Sequence, residues 1–233
     1  MLEFEPRVNP DNPEPRAACA LLLDTSGSMV GDPINELNNG LQRFAEDLKE
    51  DPLARKRTEI TVITFGGSVN VVTPFQEAQY FQAPTLYAGG GTPLAQCVIE
   101  GLEQLRQQKD AYKQNGLEYF RPWLIVMSDG APTDPRNLIN QAVESLRNLQ
   151  HKKGITVFPV GVGNNADMKF LSQLSVDRPA AAMRDVKSFA EFFKWLSASL
   201  GQVSASSTQV SNDASLESTG QVPLPATDGW RTT

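Results

Sequence analysis

Three short stretches carry the side chains best suited to chemistry. Asp24, Ser26 and Ser28 alternate within DTSGS, Gly89-Gly90-Gly91 leads into Thr92, and Ser128-Asp129-Gly130 closes an apolar run. Two carboxylates and three hydroxyls make a hard, oxygen-only donor set. Such a set suits a small divalent cation: Mg²⁺ takes about six oxygens at roughly 2.0–2.1 Å and keeps some of its water. Alternation lets one gently turning loop aim Asp24, Ser26 and Ser28 at a single point, while glycines allow the Thr92 backbone to approach closely. Asp24 and Asp129 together would neutralise a divalent ion and leave a coordination place open. Taken singly each stretch has an ordinary reading, Thr92 as a helix cap and Ser128-Asp129-Gly130 as a turn. Their order and shared context favour one site. The glycine run lacks the Gly-Lys-Ser/Thr or G-x-G-x-x-G continuation of a phosphate loop, so a nucleotide site is not expected.

The elements that must position these residues follow from the hydrophobic pattern. Short apolar runs at 17–23, 59–65, 123–127 and 155–160, with a weaker one at 180–183, read as buried parallel strands. Gly66-Gly67-Ser68 offers a hairpin turn into an antiparallel edge strand through Val69, Val71 and Val72. Helical periodicity follows Asp32-Pro33, Thr92-Pro93 and Asp134-Pro135, where Asp32 and Asp134 are expected to cap their own helices. Further helices are expected around 167–174 and 187–200. The alternation of strand and helix predicts a doubly wound α/β domain with helices on both faces of a mainly parallel sheet. In such a sheet ligands bind at the carboxyl ends of the strands, which is where the first and third stretches fall.

The chain has 233 residues with 40% hydrophobic composition, enough for one domain with its own core. Residues 1–15, rich in proline, read as an extended lead-in; 16–201 as the domain; and 202–233 as a Ser/Thr-rich tail, flexible or docked on the surface. A net charge of -6 argues against nucleic acid or an anionic membrane as partner. No apolar run is long enough to span a bilayer, and the first residues have no basic or apolar leader pattern, so a cytoplasmic location is expected. Cys19 and Cys97 lie in apolar segments and read as core residues of a reducing compartment. The single histidine, His151, rules out a His cluster for zinc and reads as a helix-terminal residue, with Gly154 taking the left-handed terminating position.

DTSGS, GGGTPL and MSDGAPTD resemble the metal-ion-dependent adhesion site of von Willebrand factor A domains, over about residues 16–200. The resemblance implies Asp24, Ser26, Ser28, Thr92 and Asp129 as metal ligands. It also implies a six-stranded sheet of order 3-2-1-4-5-6 with a short antiparallel strand, and a partner protein whose Asp or Glu completes the coordination of Mg²⁺, with Mn²⁺ or Ca²⁺ as alternative ions. The MSDGAPTD stretch is most similar to bacterial proteins of tellurium-resistance and stress operons, which implies a kinase or phosphatase among the partners. Two other functions compete with a binding module. One is a Mg²⁺-dependent phosphatase or hydrolase, for which Thr25 and Ser128 are the only spare hydroxyls in the motifs. The other is self-association, with Asp213, Glu217 or Asp228 of the tail supplied to a metal.

Overall fold

In a computed structural model of the protein, the described residues are 8–164, 166–183, 188–206 and, for the backbone, 230–232. The strands are β1 (Ala17–Asp24), β2 (Thr58–Gly66), β3 (Ser68–Glu77), β4 (Trp123–Ser128), β5 (Thr156–Val162), β6 (Ala181–Met183) and β7 (Trp230–Thr232). The helices are α1 (Asp32–Glu50), α2 (Ala54–Arg57), α3 (Leu94–Gln114), α4 (Arg136–His151), α5 (Met168–Leu171) and α6 (Ser188–Ala205). The sheet order is β3-β2-β1-β4-β5-β6-β7, so the expected six strands stand in the expected order. Among the described residues, only the β2–β3 and β6–β7 pairs are antiparallel.

Strand residues divide between two cores with period two. Ala17, Cys19, Leu21 and Leu23 of β1 join Trp123, Ile125 and Met127 of β4 on the face covered by α1 and α6. Ala18, Ala20 and Leu22 join Leu124 and Val126 on the face covered by α3, α4 and α5. A parallel strand buried on both faces must be apolar throughout, which is why these runs read as continuous rather than alternating. Cys19 and Cys97 are free and fully buried, as expected. Within the described residues no helix is long and apolar enough to cross a membrane.

Three local expectations are corrected. Asp32 does not cap α1: Gly31 stands at that position with φ 95°, a conformation an aspartate avoids, and Asp32 lies within the first turn. Asp134 does not cap α4 but turns to another helix, described below. At the end of α4 the left-handed residue is Lys153, at φ 54°, rather than Gly154. The amides of Lys153 and Gly154 donate to the carbonyls of Gln150 and Leu149, which satisfies the last turn. Strand β7 adds a seventh strand from the C-terminal stretch, where three residues are too few to show a period. Helix α6 continues to Ala205, with Val203 and Ser204 buried. Asp213, Glu217 and Asp228 lie outside the described residues.

The amino end of the sheet is tied by a buried ionic cluster. Arg16 has no exposed surface, and its Nε lies 3.1 Å from Glu59 Oε1 while Nη2 lies 3.8 Å from Glu77 Oε1. Its guanidinium also donates to the carbonyls of Asn9, Asn12 and Glu14, fastening the lead-in. Glu59 accepts from Gln108 Nε2 at 2.6 Å and from the hydroxyl of Tyr112. Burial pushes the Glu59 carboxyl above its usual range, against the lowering effects of Tyr112, Arg16 and Gln108. Removing one member of a buried pair leaves the other charge uncompensated, which costs about 3–5 kcal/mol. Arg16→Gln should therefore lower stability by about that amount in urea unfolding. Because the folded-state carboxyl of Glu59 is raised, protonation favours the fold, and that contribution is lost as pH rises through the folded value. Without Arg16 the rise is larger. The penalty should be greatest at neutral pH and shrink as pH falls through the raised folded value, which lies above the ordinary glutamate range of about 4.3; a penalty independent of pH would contradict this account.

Candidate functional site

Asp24 is the last residue of β1, and its side chain has no exposed surface. A carboxylate removed from water must find donors. The amide of Ser26 gives one, to Oδ1 at 2.8 Å, and the hydroxyl of Ser128 at the end of β4 gives another, to Oδ2 at 2.6 Å. The chain then turns through a short 3-10 segment, Gly27–Met29, anchored by buried Met29. This turn brings the Ser26 and Ser28 hydroxyls within 3.0 Å of each other. Ser28 donates its single proton to Asp129 Oδ1 at 2.8 Å, so Ser26 must donate to Ser28. Four of the five expected residues thus form one polar cluster at the carboxyl ends of β1 and β4.

Thr92 arrives on a glycine strut. Gly27 and Gly67 donate their amides to the carbonyls of Gly90 and Gly91 at 2.9 and 2.8 Å, and Gly89 donates to Thr25. Gly90 sits at φ 79°, and a Cβ there would lie 2.6 Å from the Gly67 backbone, so any side chain would force the two loops apart. The Thr92 side chain is buried and faces Gly130, whose added Cβ would lie 3.9 Å from Thr92 Oγ1. Among the described residues that hydroxyl makes no hydrogen bond, unlike those of Ser26 and Ser28.

Two residues that sequence reasoning missed hold this arrangement. Thr133 Oγ1 accepts the Thr92 amide at 3.1 Å, and the Thr133 amide donates back to the Thr92 carbonyl at 2.9 Å. Asp134 Oδ2 and Oδ1 accept the amides of Ala95 and Gln96 at 2.9 and 3.0 Å. Asp134 therefore caps α3 across space, not the helix that follows it. The Asp-Pro pair was visible in sequence, but which helix it serves depends on how the loops pack. Ser128, with no exposed surface, is spent on holding Asp24, and Thr25 is buried against Gly66.

The electrostatics of the cluster are unbalanced. Burial pushes the Asp129 carboxyl above its usual range, and the charge of Asp24 adds to this, while the Ser28 hydrogen bond pulls it down. Among the described residues no Lys or Arg forms an ion pair with either carboxylate. A buried carboxylate beside a half-buried one, with hydroxyl oxygens and no cationic side chain, is a donor set that a divalent metal would balance.

The cross-space cap carries a prediction. Asp134→Ala leaves the first amides of α3 without an acceptor and frees the loop carrying Thr92, so thermal unfolding should show a loss of about 1–2 kcal/mol. Asp32→Ala, which removes no cap, should cost clearly less; equal losses would count against the assignment.

The von Willebrand factor type A domain family model matches residues 19–196. The chain is 25% identical over 174 residues to the inter-alpha-trypsin inhibitor heavy chain H3 of Pongo abelii, covering 71% of this chain and 19% of that one. It thus spans about a fifth of that relative's length. Among solved structures it is similar to a von Willebrand factor type A protein from Catenulispora acidiphila, with TM-score 0.63 and 17% identity over 81% of this chain and 43% of that one. Proximal thread matrix protein 1 from the mussel byssus, solved with zinc in its adhesion-site motif, gives TM-score 0.53 and 16% identity over 80% and 48%. Manganese-loaded TRAP protein of Plasmodium vivax gives 0.52 and 17% over 76% and 73%. With its family model matched from β1 to α6 and its sheet in the family's order, the chain belongs to the von Willebrand factor type A domain family.

Proposed function

We propose that this chain is a metal-dependent protein-binding module, in which Asp24, Ser26, Ser28, Thr92 and Asp129 hold a Mg²⁺ ion that takes an Asp or Glu side chain from a partner. The observation that carries the reading is Asp24, a carboxylate without exposed surface, facing Asp129 with no cationic side chain to balance the two. When bound, the cation supplies an electrophilic centre for an incoming carboxylate. The residues of this chain orient it: Ser128 and the Ser26 amide hold Asp24, and Ser28 holds Asp129. Zinc in the adhesion-site motif of the mussel protein, and the manganese loading of the Plasmodium protein, support a divalent ion as the ligand. A catalytic use of the site finds less support, because Thr25 and Ser128 are both buried.

The finer likeness, to proteins of tellurium-resistance and stress operons, rests on MSDGAPTD and points to a kinase or phosphatase as the first partner class to test. The two buried free thiols fit a reducing compartment, and we propose the cytoplasm.

Two measurements test the reading. A ligand that binds only the folded state stabilises it by about 2.7 kcal/mol at a hundred times its Kd. For a domain of this size that is roughly 5–10 °C in melting temperature. Mg²⁺ or Mn²⁺ should produce such a rise in the wild type and almost none in Asp24→Ala or Asp129→Asn; the same rise in all three proteins would remove the ligand assignment. Partner capture provides the second. Thr92→Ala should leave the melting curve of the metal-free protein unchanged within a degree or so, yet weaken capture of an acidic partner at least tenfold, as chelation of the wild type does. Capture indifferent to both chelator and Thr92→Ala would place the binding surface elsewhere.

A further inference from the structure

At the opposite pole of the sheet, where the strands begin, two arginines form no ion pair with another described residue. Arg121 lies on the loop entering β4, between Phe120, whose amide donates to the Arg16 carbonyl, and Pro122, whose carbonyl accepts from Thr156. Arg178 lies on the loop entering β6, its amide held by Ser175 Oγ at 3.1 Å. The guanidinium of Arg178 rests over the ring of Phe158, 4.8 Å from the centroid, and that ring packs against Trp123 at 4.8 Å and Trp195 at 5.5 Å. The side chain therefore stacks on a rigid aromatic wall.

The unusual feature is Arg121. Its Nε and Nη2 atoms are both buried and neither has a hydrogen-bond partner. These two nitrogens form the side-on fork of a guanidinium, with parallel N–H bonds spaced to meet two oxygens of one oxyanion. Buried guanidinium donors are normally paired, so an unfilled fork asks for an acceptor. The charge of Arg121 also reaches Arg178, where burial, first, and this like charge hold the guanidinium below its usual range, with only neighbouring Asp177 opposing. No ion pair of either arginine occurs among the described residues.

We propose that Arg121 and Arg178 form a binding site for a phosphate-type oxyanion at the amino-terminal pole of the sheet. The fork of Arg121 takes two oxygens, and Arg178, stacked on Phe158, supplies the second positive charge. Two guanidinium charges match a group carrying close to two negative charges at neutral pH better than they match a carboxylate. The site is separate from the Asp24 cluster, since one lies at the beginnings of the strands and the other at their ends.

Isothermal titration and thermal melts of the full chain with inorganic phosphate test this, with chelator present throughout so that no cation draws phosphate to the other pole. Chloride and acetate at matched ionic strength serve as controls. Phosphate should bind saturably and raise the melting temperature, with acetate and chloride giving at most a tenth of the affinity. Arg121→Lys, which keeps the charge but lacks the fork, should weaken phosphate at least tenfold, and Arg178→Gln should do likewise. In phosphate-free buffer Arg121→Gln should be no less stable than the wild type, because it removes unpaired buried donors, whereas in phosphate the wild type should gain and the variant should not. Tighter binding of O-phosphoserine than of inorganic phosphate would assign a phosphate ester as the source, and the reverse would assign the free ion. Absence of saturable phosphate binding, equal binding by Arg121→Lys, an equal effect of acetate, or equal destabilisation of Arg121→Gln in both buffers would each overturn the proposal.

Discussion

A carboxylate taken wholly out of water at the end of the central strand is the constraint around which the rest is arranged. Buried there, the Asp24 carboxylate needs donors, and its two come from different places: the Ser26 amide from its own turn, and the Ser128 hydroxyl from the neighbouring strand. That second bond requires β1 and β4 to pair in one register. Leu23 stands opposite Met127, which brings the two strand ends level. A slip of one residue would exchange the faces of every side chain on the strand, carrying Leu23 and Asp24 to opposite cores. The apolar packing on both faces of β1 therefore fixes the polar cluster as well.

The loops above the sheet are fastened to one another more than to the sheet. The glycine strut bonds to the Thr25–Gly27 turn and to Gly67 of the β2–β3 hairpin, while Thr133 and Asp134 tie the start of α3 to the loop that follows Asp129. A shift of the Asp129 loop would thus carry the beginning of α3 with it. Thr92 lies at that junction with its hydroxyl making no hydrogen bond among the described residues, whereas Ser26 and Ser28 are joined in the hydrogen-bonded chain to Asp129.

Parallel strands also separate charge. The carboxyl ends of the five parallel strands, β1, β2, β4, β5 and β6, fall on one edge, and there Asp24 and Asp129 stand together. At the other edge the buried Arg16 is balanced by Glu59 and Glu77, while Arg121 and Arg178 form no ion pair among the described residues. The net charge of -6 conceals this division, because it sums over both poles.

Much of this was legible in the amino-acid order. The buried strands had to be short apolar runs, the helices had to show their stripe, and Asp24, Ser26 and Ser28 had to alternate if one loop was to aim them together; each of these is a local property set by the period of the backbone. Fold class and the closeness of Asp24, Ser26, Ser28 and Asp129 were readable from that, and strand order through the family resemblance. Other features belong to the tertiary structure alone. Asp134 sits beside its own helix in sequence yet caps α3, Gly31 rather than Asp32 takes the capping position of α1, Lys153 rather than Gly154 turns left-handed, and β7 completes an edge from a stretch too short to show periodicity. Arg121 and Arg178 look like ordinary surface charges until the loop entering β4 buries two nitrogens of Arg121 without a partner and the loop entering β6 lays Arg178 over Phe158. The division has one physical cause: periodicity and residue type act between near neighbours along the chain, whereas a donor's choice of acceptor depends on which distant segment packing brings within about 3 Å.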